Sequence, residues 1–285
     1  MPARGEFKRA LLALDVDALD PDAIDAAARL AELLELDLVG LFALDDTLRE
    51  LAGYPSAREF VPVGRTWRQI DLERIGHEQQ LAAQTAQRMF NELASAMRVP
   101  STFEVVPGPA TRILASMSRP SDILVVAEPR RASACVTRSF ALLFDVAIRS
   151  TASVLVVPRS VRRRRGPIVG IAGAPDDPGM QVASAIAAAA HEELIVIDAH
   201  QASQTGSGPA AINETARPSR SIHEGGGLLT DMRNLAALLE NRDESLIVLT
   251  REGFPTATDN IGMLIAESRR VPVLILEPPR RSTAP

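Results

Sequence analysis

Ser153-Val154-Leu155-Val156-Val157-Pro158 recurs near the end of the chain as Pro272-Val273-Leu274-Ile275-Leu276-Glu277-Pro278. Each copy follows an amphipathic helical stretch and finishes on a proline. Consecutive β-branched and leucine side chains without polar alternation are typical of a strand buried on both faces of a parallel sheet. Val154 and its counterpart Val273 are 119 residues apart, about the length of one α/β domain. The sequence therefore predicts a duplicated α/β unit.

The first half alternates between short apolar runs and amphipathic runs, which predicts a doubly wound parallel sheet. The predicted strands cover residues 10–14, 38–43, 102–106, 122–127 and 154–157. The first helix opens at Asp20-Pro21, since aspartate suits the N-cap and proline the first helical position. Further helices are predicted at 79–97, about 110–118, and 140–149. Residues 45–74 form a long connection, and connections of that length are usually functional or packed on a neighbour.

The second half repeats this pattern less completely. Strand patterns cover 168–172, 194–198, 246–249 and 273–276, with a short candidate at 220–223, and helical patterns cover 178–191, 228–240 and about 260–268. Residues 201–218 have no helical period and are rich in Gly, Ser, Ala, Thr and Pro, which indicates a loop in place of the long helix. We therefore predict a complete first domain at 1–158, an arginine-rich linker at 159–166, and a truncated second domain at 167–285.

The composition excludes several classes of protein. With 285 residues, 46% hydrophobic and 24% charged, the chain is typical of a soluble globular protein with two cores. A net charge of −5 and an aromatic content of 4% argue against nucleic-acid binding. A single cysteine, Cys135, excludes an internal disulfide and a multi-cysteine zinc site. The first apolar run is too short for a signal peptide or a membrane span, so we expect a cytoplasmic protein without membrane insertion.

The densest charge run is Arg159-Ser-Val-Arg-Arg-Arg-Arg-Gly166 at the boundary between the halves. One interpretation is a site for an anionic partner, and the other is a solvated linker. The absence of aromatic side chains in the run and the acidic character of the whole chain favour the linker.

Several stretches together resemble the universal stress protein family. They are Ala-Leu-Leu-Ala-Leu-Asp15, Asp122-Ile-Leu-Val-Val126 and Val-Leu-Val-Val157-Pro158, while residues 41–46 and 51–60 look like a bacterial branch with an elaborated loop after the second strand. The second half resembles the family more weakly, mainly through its strand order and its ending. The resemblance implies two flavodoxin-like sheets of five parallel strands in the order 3-2-1-4-5, joined through their fifth strands. We expect those strands to approach antiparallel, because pairing buries an apolar edge that would favour aggregation.

Members of the family that bind ATP carry Gly-x2-Gly-x9-Gly-Ser/Thr after the fourth strand, where backbone N–H groups cradle phosphate oxygens. In the first half this spacing falls on Ala127-x2-Arg130-x9-Phe140-Ala141, so every key residue is changed, and a one-residue slip restores only a hydroxyl, at Ser139. In the second half it falls on a shortened stretch, Thr250-x2-Gly253-x5-Asp259-Asn260, which keeps one glycine.

The resemblance also implies a set of candidate binding residues in the first half, namely Asp15, Val39, Ala127, Arg130 and Ser139. Asp15 is the strand-one aspartate that helps to hold adenosine in the family. Its alternative role is to accept hydrogen bonds from backbone N–H groups in the following turn, and in the second half Ala172 or Gly173 takes its place. The cluster of Arg130, Arg131 and Arg138 lies at the carboxyl edge of the predicted sheet, where open α/β folds bind ligands. Such arginines can hold a phosphate or carboxylate, or they can be solvated.

Motifs of nucleophilic, P-loop or zinc-dependent catalysis do not occur in the sequence. We therefore expect a regulatory or interaction module rather than an enzyme, with no cofactor and an unidentified protein partner. The alternative is a regulator that binds ATP, another nucleotide or another anion through Asp15 and the Arg130 loop, with slow hydrolysis left open. A homodimer is also compatible with the sequence.

Overall fold

The computed structural model describes residues 7–14, 20–44, 46, 50, 53–54, 56–61, 64–128, 138–174, 176–198, 220–222, 243–251 and 261–277. The loop predicted at 201–218 and the helix predicted at 228–240 lie outside these residues. No helix in the described part of the chain is long and apolar enough to cross a membrane.

The described elements of the first half alternate between strand and helix. In chain order they are β1 (Arg9–Leu14), α1 (Pro21–Leu34), β2 (Asp37–Leu44), β3 (Arg58–Val61), β4 (Thr66–Gln69), α2 (Leu72–Ala96), β5 (Ser101–Pro107), α3 (Ala110–Met117), β6 (Asp122–Ala127), α4 (Arg138–Arg149) and β7 (Ser153–Val157). Those of the second half are β8 (Ile168–Ala172), α5 (Gly179–Ala190), β9 (Leu194–Asp198), β10 (Arg220–Ile222), β11 (Leu246–Thr250), α6 (Ile261–Arg269) and β12 (Val273–Leu276).

Within the described residues, ten strands form one continuous sheet in the order β10-β9-β8-β11-β12-β7-β6-β1-β2-β5. Each half contributes five neighbouring strands, and all pairs within a half are parallel. Numbered along the main sheet of each half, the strands follow the order 3-2-1-4-5. The predicted α/β fold class is therefore confirmed.

The two halves join where β12 pairs with β7 antiparallel, which is the approach expected from the family resemblance. The paired residues are Val273 with Val156, Leu274 with Leu155, and Ile275 with Val154. All six side chains are buried. Because the strands on either side of this seam run in opposite directions, the carboxyl ends of the two halves' strands lie at opposite edges of the sheet.

Alternate side chains of the buried strands enter two cores, one on each face of the sheet. In β1, for example, Leu12 packs into one core and Leu11 into the other. Helices α1, α2 and α5 cover the first face, and α3, α4 and α6 cover the second. Each core contains residues of both halves, and α1 of the first half packs against α5 of the second. Because helices cover both faces of the sheet, the buried strands are apolar at consecutive positions instead of alternating with polar residues.

The linker is held by ion pairs to both halves rather than being only solvated. Arg163 pairs with Asp243 of the second half. Arg164 pairs with Asp22 at 3.1 Å and with Asp25 at 3.4 Å, both on α1. Gly166 closes the linker at φ +135°, a conformation that favours glycine, and its backbone approaches Asp243 so closely that a Cβ would lie 2.2 Å from the carbonyl oxygen.

The long connection after β2 contains a β-hairpin that the sequence patterns did not predict. Its strands β3 and β4 pair antiparallel, with Phe60 opposite Trp67 and Glu59 opposite Arg68. The following helix also starts earlier than predicted, at Leu72 instead of residue 79, because the Asp71 side chain caps it by accepting a hydrogen bond from the Arg74 N–H at 3.0 Å. The two departures are linked, since Glu59 of the hairpin pairs with Arg74 of this helix.

The seam should contribute a large part of the folding free energy. Replacing the fully buried Leu274 with alanine should lower the free energy of unfolding by about 2–5 kcal/mol, the usual cost of a large-to-small change in a core. Leu264→Ala is the matched control, because that leucine of α6 is 46% exposed and exposed positions usually change stability by less than about 0.5 kcal/mol. Urea denaturation followed by circular dichroism measures both, and equal effects would contradict the burial at the seam.

The hairpin should stay attached to α2 below the pH at which an ordinary glutamate takes up a proton. Hydrogen bonds and charge from Arg68, and then the charge of Arg74, lower the pKa of the Glu59 carboxyl below its ordinary value. A lowered folded-state pKa means that the attachment is complete above the unfolded-state value of about 4.3 and is lost as the pH falls through the lower folded value. An acid titration of Trp67 fluorescence should therefore have its midpoint below about pH 4.3, and Glu59→Gln should remove this transition.

Candidate functional site

Each half has one place where an open α/β sheet usually binds a ligand. In a sheet of order 3-2-1-4-5, the chain leaves strands one and four toward opposite faces, which opens a crevice at their carboxyl ends. In the first half this crevice lies between β1 and β6, and in the second half between β8 and β11. Since the seam is antiparallel, the two crevices lie at opposite edges of the sheet and cannot share a ligand.

A buried carboxylate stands at the carboxyl end of β6 in the first half. Glu128 directly follows Ala127 and is 7% exposed. Its Oε1 accepts a hydrogen bond from the Arg159 Nε at 2.7 Å, and its Oε2 accepts one from the Arg159 backbone N–H at 3.3 Å. Its own N–H donates to the Val157 carbonyl. Ala127 stands where the ATP-binding motif of the family begins. Here it is followed by the Glu128 carboxylate, whose charge is neutralised by Arg159.

The structure places two of the five predicted binding residues, and it does not bring them together. Ala127 ends β6, and its side chain lies in the core covered by α1 and α2. Val39 lies in the opposite core, on the other face of the sheet. Val39 and Leu124 both pair with Leu11, so they lie at the same level of the sheet. Leu124 is three residues before Ala127, the end of β6, so Val39 lies about 10 Å below the carboxyl end of that strand.

The remaining predicted residues of this site are not described. Asp15, Arg130 and Arg131 lie outside the described residues, and for Arg138 and Ser139 only the helical backbone of α4 is described. Their roles stay predictions.

The crevice of the second half is bridged by the carboxylate of Asp177. Its Oδ2 accepts a hydrogen bond at 2.9 Å from the N–H of Gly173, which follows strand β8. Its Oδ1 accepts one at 2.8 Å from the N–H of Gly179, the first residue of α5, and another from the hydroxyl of Thr250, the last residue of β11. One buried carboxylate therefore ties together the strand-one end, the strand-four end and a helix N-terminus.

A side chain at Gly179 would force the Thr250 and Asp177 side chains to move. A Cβ would lie 2.3 Å from the Thr250 Oγ1 and 3.0 Å from the Asp177 Oδ1. Backbone N–H groups at a helix N-terminus favour a negative charge, and here the chain supplies that charge itself. Thr250, the residue that stands for the first glycine of the ATP motif in the second half, is thereby committed to an internal hydrogen bond.

A sequence signal for Asp177 exists but lies outside the spacing of the family motif. Asp177-Pro178-Gly179 opens α5 as Asp20-Pro21-Asp22 opens α1, and in both cases the aspartate accepts a hydrogen bond from the N–H two residues on. Counting positions from the end of strand one points to Ala172 or Gly173 instead. The Asp177 carboxylate, four residues after Gly173, reaches the end of strand one through its hydrogen bond with the Gly173 N–H.

Residues that directly follow strand four carry opposite charges in the two halves. Ala127 pairs with Val157, and Thr250 pairs with Leu276, so Glu128 and Arg251 are equivalent.

Arg251 binds Glu277, the residue after β12, at 2.6 Å. It also donates to the carbonyl oxygens of Ser150 and Ala152 at 2.7 and 3.1 Å. These two residues precede β7 of the first half, so the strand-four end of the second half is tied across the seam.

Neither crevice offers a described metal site. Among the described residues, no group of three or more His, Cys, Asp or Glu side chains is placed to hold a metal ion.

The fold built from these elements is that of the universal stress proteins. A universal stress protein from Archaeoglobus fulgidus matches 95% of this chain over 97% of its own length, with a TM-score of 0.60 at 14% identity. A putative universal stress protein from Pseudomonas aeruginosa matches 98% of this chain over 95% of its own, with a TM-score of 0.57 at 13% identity. Identities this low show the fold alone.

A universal stress protein solved in complex with cAMP matches 54% of this chain over 98% of its own length, at 18% identity and a TM-score of 0.36. At that score the likeness carries no argument about a ligand of this chain. No protein-family model matches the sequence, and a search of curated proteins finds no match.

The Asp177 bridge should be a major stabiliser of the second half. Asp177→Ala leaves the buried Gly179 N–H, the partly buried Gly173 N–H and the Thr250 hydroxyl without their acceptor. It should lower the free energy of unfolding by about 2–4 kcal/mol, since hydrogen bonds to charged groups are the stronger class. The neighbouring Asp176 is exposed, so Asp176→Ala is the matched control. A thermal melt of both variants gives the comparison, and a loss for Asp177→Ala no larger than that of the control would contradict the bridge.

Proposed function

We propose that this chain is a cytoplasmic regulatory or interaction module with the universal stress protein fold, that it does not bind ATP in the manner usual for that family, and that it is not an enzyme. The observation that carries the proposal is the Asp177 carboxylate, which occupies the strand-one and strand-four ends of the second crevice. A nucleotide phosphate entering there would meet a buried negative charge and would have to displace hydrogen bonds already made.

The first crevice supports the same proposal on different grounds. Its strand-four end carries the Glu128 carboxylate, which is paired with Arg159. In the sequence, the glycines that would let the backbone approach a phosphate are replaced by Ala127, Arg130 and Phe140. A side chain at such positions keeps the backbone N–H groups away from the phosphate oxygens.

The alternative function is a stress regulator that binds a nucleotide or another anion through Asp15 and the Arg130 loop. The arginines that replace the glycines favour it, because guanidinium groups can hold phosphate through paired hydrogen bonds. In that case the first crevice binds the ligand and the second does not.

Isothermal titration calorimetry of the full chain with ATP, ADP and cAMP separates the two functions. We expect no heat of binding up to millimolar ligand. Micromolar affinity that is lost in Asp15→Ala and Arg130→Ala, and kept in the exposed control Arg88→Ala, would establish the alternative instead. Phosphate release measured in the same samples tests for slow hydrolysis, and none is expected.

A further inference from the structure

The β3–β4 hairpin presents an aromatic pair to solvent. Phe60 and Trp67 face each other across the two strands with ring centroids 5.2 Å apart. Their side chains are 48% and 63% exposed, whereas Phe42 and Phe90 are fully buried. Trp67 is the only tryptophan of the sequence. Tyr54, the only tyrosine, precedes the hairpin and is 65% exposed.

The outward direction of this pair is set by the anchoring of the other face. Side chains alternate along a strand, so Glu59 and Arg68 lie on the face opposite Phe60 and Trp67. Glu59 accepts a hydrogen bond from the Arg68 Nε and another at 2.7 Å from the Arg74 Nη2, which ties the hairpin to α2. These hydrogen bonds attach the hairpin to α2 through the face opposite the aromatic pair.

Exposed aromatic side chains next to arginine are typical of protein-binding surfaces. Truncation studies find that tryptophan, tyrosine and arginine dominate the binding energy of interfaces. Large exposed apolar patches on soluble proteins mark interaction sites.

The charge around the pair indicates the chemistry of the partner. Arg58 lies on the same face as Phe60, Arg65 lies in the turn, and both are exposed. The one acidic residue of the hairpin, Glu59, is already neutralised by Arg68 and Arg74. The hairpin is thus locally positive on a chain whose net charge is −5, which favours an acidic partner over a basic one.

We propose that the hairpin face formed by Arg58, Phe60, Trp67 and Gln69 is a docking site for a partner protein, and that the partner presents an apolar side chain flanked by carboxylates. The apolar side chain would cover the aromatic pair, and the carboxylates would pair with Arg58 and Arg65. This proposal rests on the proposed role as an interaction module but not on the state of either crevice, so nucleotide calorimetry and the experiment below can fail independently.

A random library of short displayed peptides, selected on the full wild-type chain and depleted on the Phe60→Ser/Trp67→Ser double variant, tests the docking site. Synthetic copies of the enriched peptides are then titrated while Trp67 emission is recorded, since burial of the indole should shift it to the blue. Sedimentation of the free chain and titration with vesicles of phosphatidylserine and phosphatidylcholine are run in parallel.

The expected result is hairpin-dependent peptides rich in Leu, Ile or Phe next to Asp or Glu. Phe60→Ser and Arg58→Glu should each weaken their binding about tenfold or more, as truncation of an interface hot spot does. Leu142→Ser is the matched control, because Leu142 of α4 is equally exposed, at 52%, and lies outside the hairpin. Arg58→Glu leaves the aromatic pair intact, so it tests the proposal even where Phe60→Ser disturbs the hairpin.

Three outcomes would overturn the proposal. The first is the absence of hairpin-dependent peptides, or their enrichment in basic residues. The second is self-association of the wild-type chain that Phe60→Ser abolishes, which would make a second copy the occupant. The third is a blue shift of Trp67 emission with anionic vesicles, which would make the face a lipid contact.

Discussion

The antiparallel pairing of β7 with β12 is the interaction on which the rest of the structure depends. Each half ends in a strand whose side chains are apolar on both faces, and such a strand left at an edge would expose backbone groups and apolar surface together. Pairing the two ends joins both halves into one sheet and lets each core continue across the seam. It also places the two ligand crevices at opposite edges of the sheet.

Much of the fold could be predicted from the sequence because its main strands are buried on both faces and read as plain apolar runs, as in Val154–Val157. The hairpin could not, because its signals are weak. Arg58-Glu59-Phe60-Val61 and Thr66-Trp67-Arg68-Gln69 contain few apolar residues, and one face is held by ions rather than by a core. The turn includes Gly64 and Arg65 at positive φ, and only the glycine is an ordinary turn signal.

The candidate sites show where reasoning from spacing ends. The spacing of the ATP-binding motif identifies positions along the chain. It therefore identified the residues that replace the glycines in the first half, and Thr250 in the second. It could not find Asp177, which reaches the strand-one end from a helix N-terminus, or Glu128, which occupies a position that the motif leaves free. Their importance comes from convergence in space at the carboxyl edge, where residues separated by 73 positions, Asp177 and Thr250, share one hydrogen bond.

Both halves have an ion pair at the carboxyl end of strand four, but the acidic and basic residues have changed places. After strand four, the first half has Glu128 paired with Arg159, and the second has Arg251 paired with Glu277. An ion pair of either polarity is neutral overall, so both arrangements avoid an uncompensated charge at this edge. The strand-four end is thus closed by an ion pair in both halves, with the polarity of the pair reversed. Among the described residues, the hairpin is the element that carries an exposed aromatic pair.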